Sequence, residues 1–239
     1  MIHSPYYNKI YNKMETISKK LDLVFNVEHS IKINHKKFND SRYIFILANY
    51  NDSNIIQNNI LYIKNTLSLS TIPEYKKGHI LEFMYGIDIE EKISKIYITV
   101  AHGKNGINDI IYANIYKNNN FTKRYYLQKD KFYKKYPNSA LVQFFNKFNI
   151  YKKNDLIDNY YLVYHNNNFH AISIRTVLLN NKNIINFILS LFKLFKLHLY
   201  NQNIIDYLNK YKIHYLTNIT INNTMDEINL YFNINSLKN

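Results

Sequence analysis

Apolar and polar residues alternate with period two through ILEFMYGIDIEEKISKIYITV, residues 80–100, on both sides of a charged turn. Side chains of a strand point alternately to its two faces, so this spacing predicts a β-hairpin. One arm sets Leu81, Phe83, Tyr85 and Ile87 together, and the other sets Ile96, Ile98 and Val100 together. The opposite face carries Glu82, Met84 and Asp88, then Lys95, Tyr97 and Thr99.

The same pattern recurs. DIIYANIYKNNNFTKRYYLQ predicts a second hairpin, NYYLVYHNNNFHAISIRTVLL a third, and KIHYLTNITINNTMDEINLYFNI a fourth. Earlier, LDLVFNVEHSIKI and SRYIFILAN predict two strands joined by a polar turn.

Helical stripes lie between the strands. Ser4 and Pro5 form a helix start, cap followed by first-turn proline, and the helix is expected to run to about Lys19. SNIIQNNILYIKNTLS, YPNSALVQFFNKFNI, the apolar run from Asn183 to Tyr200, and NQNIIDYLNKYK predict the others. The 183–200 run is interrupted by Lys193, Lys196 and His198, so it predicts a buried helix rather than a membrane span.

This is an α+β pattern of antiparallel hairpins alternating with helices, expected as one domain over residues 1–239. Helices cover the Ile-, Leu- and Phe-rich strand faces. The other strand faces carry Lys95, Tyr97, Tyr112, Tyr116, Arg124, Tyr126, Arg175 and Tyr231. Two architectures accommodate them: an open antiparallel sheet with one wet face, or a closed barrel with helices outside and a lined lumen.

Composition narrows the chemistry. Lys and Arg total 31 against 17 Asp and Glu, a net charge of +14 that attracts phosphate-bearing partners. Arginine occurs only at positions 42, 124 and 175. The absence of cysteine excludes disulfides, thiolate metal sites and cysteine nucleophiles. His165 and His170 flank one turn with no third ligand suggested, so no metal site is expected. HGKNG, from His102, lacks the glycine spacing of a phosphate loop. The first twenty residues hold no apolar run of signal-peptide type, and cytoplasmic localisation without a transmembrane segment is the expectation.

YGIDIEEKISKIYI and NTMDEINLYFNI, each a strand, a charged turn and a KIY or LYF strand, resemble hairpins of the ABBA prenyltransferases. That resemblance implies a closed β/α barrel and prenyl transfer from an allylic diphosphate to an aromatic or peptide acceptor. It implies diphosphate contacts from Lys95, Arg124 and Arg175, and an aromatic shield of Tyr97, Tyr126 and Tyr231. Glu82 or Asp88 would accept the acceptor's proton. No organic cofactor is implied, and a need for Mg2+ is left open. The competing reading is a basic nucleic-acid binder, for which KRYYLQKDKFYKKYP at 123–137 interleaves lysines with base-stacking aromatics. A non-enzymatic structural or interaction protein is the third. Whether the chain is an enzyme is open at this level.

Overall fold

In the computed structural model, the described residues are 4–49, 54–75, 78–101, 110–117, 120–129, 160–165, 168–175, 181–213, 216–222 and 224–233. They form five helices, α1 (Pro5–Leu21), α2 (Asn54–Asn58), α3 (Ile60–Leu67), α4 (Asn181–Leu194) and α5 (Asn201–Lys210). The ten strands are β1 (Val24–Asn34), β2 (Phe38–Ala48), β3 (His79–Asp88), β4 (Ile93–Ala101), β5 (Ile110–Lys117), β6 (Asn120–Lys129), β7 (Tyr160–His165), β8 (Asn168–Arg175), β9 (Leu216–Asn222) and β10 (Glu227–Asn233). All four expected hairpins and the early strand pair are present. The helix expected over 137–150 lies outside the described residues.

The chain divides into two compact units. The first takes residues 1–28, 41–128 and 165–167, and the second takes 29–40, 129–164 and 168–239. The sheet of alternating hairpins is open and strongly curled, a half-barrel. This corrects the expectation of a closed ABBA-like barrel. In the first unit the antiparallel ladder runs β2–β3–β4–β5–β6.

One face of the first unit's sheet is covered by α1. Ser4 Oγ accepts a hydrogen bond from the Tyr7 N–H at 3.1 Å and caps the helix. Tyr7, Ile10, Met14 and Ile17 recur at helical spacing and are buried. The Tyr7 ring meets Tyr43 edge-on at 4.6 Å and Phe45 at 5.3 Å. Strand register carries this face onward: Phe45 pairs with Tyr85, and Tyr85 with Ile96. The opposite face of β2, β3 and β4 is turned from the helix.

The second unit packs α4 and α5 on its own apolar strand face. Phe187, Leu191 and Phe192 from α4 and Ile204 and Leu208 from α5 join Ile172, Ile174, Ile219, Ile221, Leu230 and Phe232 from the strands. His29 is buried on this side. Its Nε2 bonds the Asp40 carbonyl oxygen, which only accepts, so Nε2 carries the proton. In the neutral ring Nδ1 then accepts from the Tyr207 hydroxyl at 2.5 Å, tying β1 to α5. The long run at 183–200 thus builds a core helix and a short 3₁₀ turn at His198–Tyr200, as its lysine interruptions imply. Among the described residues no helix is long and apolar enough to cross a membrane.

Candidate functional site

The face of the β3–β4 hairpin opposite the one that meets α1 gathers four of the sequence-predicted residues. Glu82 pairs with Thr99, Met84 with Tyr97, Gly86 with Lys95, and Asp88 with Ile93. Alternation therefore places Glu82, Asp88, Lys95 and Tyr97 on one face. Leu81 is an extra residue between the Ile80 and Glu82 pairings, a β-bulge that ends regular pairing beside Glu82.

The two carboxylates have different employment. Asp88 is buried, and its Oδ2 lies 3.3 Å from Arg42 Nε across the β2–β3 ladder. Its Oδ1 accepts the Glu91 N–H at 2.9 Å and holds the turn. Asp88 is thus built into the fold as the counter-ion of a buried arginine. Glu82 is half-buried and its Oε2 accepts a hydrogen bond from Thr99 Oγ1 at 2.8 Å. That bond orients the carboxylate.

Gly86 shapes the ground beneath the tyrosine. A Cβ at this position would lie 3.4 Å from Tyr97 Cε2 and 3.5 Å from Lys95 Cβ. The Tyr97 ring and the Lys95 stem thus lie at ordinary contact distance over this position. Both are half-buried.

Arg124 and Tyr126 do not join them. Arg124 pairs with Asn114, and Asn114 with Ile96; Tyr126 pairs with Tyr112, and Tyr112 with Ile98. Their register positions fall in the rows of Ile96 and Ile98, the rows of the helix-covered face. Lys95 and Tyr97 instead pair with Ile115 and Ala113. Lys95 and Arg124 thus stand in rows of opposite parity, and Arg175 belongs to the second unit. Arg175 and Tyr231 do share a row, each paired with Asn218 of β9.

The sequence reading passed over Arg42, the partner of Asp88, and Asn218, the centre of the Arg175–Tyr231 row. Arg42 carried a signal, being one of only three arginines and lying within an apolar strand. Asn218 carried none that separates it from the chain's many asparagines. Among the described residues no group of three or more His, Asp or Glu side chains is arranged to hold a metal ion. HGKNG and the lysine-rich segment beyond residue 129 lie outside the described residues. No protein-family model and no curated protein matches the chain.

Proposed function

We propose that the chain binds a phosphate-bearing ligand on the face of the β3–β4 hairpin opposite the one that meets α1. The observation that supports this is the grouping of Lys95, Tyr97, Thr99 and Glu82 on that face of a chain with net charge +14. The Lys95 ammonium offers charge to a phosphate oxygen, and the Tyr97 ring offers an aromatic surface to the rest of the ligand.

Prenyl transfer from an allylic diphosphate to an aromatic or peptide acceptor is the catalytic form of this reading. The allylic C–O bond breaks with its electron pair leaving on the diphosphate, whose charge Lys95 neutralises. The allylic carbon bonds the acceptor, and the acceptor's proton passes to Glu82. Asp88 has no part in it, because its carboxylate is engaged by Arg42.

Titration with dimethylallyl and geranyl diphosphate, with and without magnesium, tests binding, and product analysis with an aromatic acceptor tests transfer. Saturable binding that falls at least about tenfold in Lys95→Ala is expected, the loss of one charge-assisted contact. Absence of binding to either diphosphate, with tight salt-sensitive binding of a single-stranded oligonucleotide, would replace this reading with the nucleic-acid one.

A further inference from the structure

The corner where α4 turns into α5 lies wholly within the second unit. It closes as a Schellman motif. The Leu197 N–H donates to the Phe192 carbonyl at 2.7 Å, and the Lys196 N–H donates to the Lys193 carbonyl at 3.3 Å. Leu197 and Phe192 are both buried and lock the turn onto the core. Lys196 has φ 56°, the left-handed conformation that glycine usually supplies at this place. The 3₁₀ turn His198–Tyr200 follows, anchored by the buried Tyr200.

Held between two buried neighbours, Leu199 is nevertheless 59 % exposed. Its exposure is set by the fixed turn and is not that of a frayed end. Lys193, Lys196 and His198 are exposed on the same corner. The outward side of α4 leads to it through Ile185 and Leu189, which are half-buried and stand at helical spacing with Lys193. No Asp or Glu occurs in the sequence between Asp158 and Asp206. The helix dipole accounts for a lysine in the last turn of α4. It does not account for a leucine held out to water, or for a lysine where glycine is the usual choice.

We propose that this corner docks on an anionic membrane surface, with Leu199 entering the boundary between headgroups and acyl chains and Lys193 and Lys196 reaching lipid phosphates. The lysines select the sign of the occupant, and the leucine selects its kind. A leucine neither stacks on a base nor hydrogen-bonds one, and it gains only from an apolar medium. Lysine stems are themselves apolar and carry their ammonium groups out to the phosphate level. One apolar knob flanked by two lysines gives reversible adhesion to the surface, which needs no spanning helix.

The chain contains no tryptophan, so Leu199→Trp supplies a single reporter. Its emission should shift to the blue, and be quenched by brominated acyl chains, on phosphatidylcholine vesicles carrying about 30 % phosphatidylserine, and not on phosphatidylcholine alone. In co-sedimentation with the same anionic vesicles the full chain should bind, and Leu199→Ser should bind about tenfold more weakly. Lys193→Gln combined with Lys196→Gln should bind about twentyfold more weakly. Lys9→Gln combined with Lys19→Gln removes the same charge from α1 and should stay within about twofold of the native chain. Unfolding midpoints should not move, because the substituted side chains are exposed. Native-strength binding by Leu199→Ser, an unshifted tryptophan, or equal losses in the two lysine pairs overturns the proposal. A single-stranded oligonucleotide that displaces the vesicles, and is bound normally by Leu199→Ser but lost with Lys193 and Lys196, overturns it in favour of nucleic acid. Where Leu199→Ser fails to fold, the emission of Leu199→Trp decides.

Discussion

At the scale of single residues, Asp88 and Glu82 look alike in the sequence and differ in the fold. Removing one partner of a buried ion pair strands the other charge, which typically costs about 3–5 kcal/mol. Asp88→Ala should therefore lower unfolding stability in urea by that order, since Arg42 stays buried. Glu82→Gln keeps an acceptor for Thr99 and should cost under about 1 kcal/mol, while abolishing any step that needs a carboxylate base. A large stability loss in Glu82→Gln would mean that its role is structural. Burial pushes the Tyr7 hydroxyl up to about 12, with Tyr11 adding to it. Tyr85 is driven higher still, first by burial and then by its hydrogen bond with Tyr6. Unfolded tyrosines lose their protons near pH 10, so between about 10 and 12 the unfolded chain binds fewer protons than the folded one. Stability should hold below pH 10 and fall as pH rises through that window, less steeply in Tyr7→Phe; urea titrations across it measure the slope. A slope unchanged in Tyr7→Phe would refute the assignment.

At the scale of elements, most of the fold was legible because strand and helix periods are strong signals. Ser4–Pro5 marked the start of α1, the charged and asparagine-rich turns marked the hairpins, and lysines at 193 and 196 marked a helix edge. Register was not legible. A slip of one residue between paired strands exchanges every side chain between faces. On β5, Ile111 and Ala113 are buried on one face and Asn114 and Tyr116 on the other, so alternation there names no core side. The resemblance groups Lys95 with Arg124, and the ladder puts them in rows of opposite parity. The run at 53–68 predicts one helix; the structure has two, divided at Asn59, whose side-chain Nδ2 donates to the Ile55 carbonyl at 2.9 Å. A side chain bonding backbone in this way competes with helix continuation. The cap of α1 gives an element-scale prediction. Ser4→Ala removes the acceptor for the Tyr7 N–H and should cost about 1 kcal/mol by thermal or urea unfolding, with Ser4→Asp restoring it.

At the scale of the molecule, the net charge of +14 acts on every anion the chain meets, whatever site receives it. Charge alone gives loose attraction that salt screens within a Debye length of about 10 Å at 0.1 M. A built site adds short hydrogen bonds that salt weakens far less. The two contributions separate in one experiment. Raising salt from low to about 0.5 M should reduce diphosphate affinity steeply at first, as the Debye length shrinks to a few ångströms, and then level off at a residual affinity. That residue should vanish in Lys95→Ala if the hairpin face carries the site. It should persist in a variant with two exposed lysines neutralised, such as Lys19→Gln with Lys196→Gln, which lowers the charge without touching either strand face. Affinity that declines without a plateau, equally in all variants, would show that the chain attracts anions by its field and holds none by geometry.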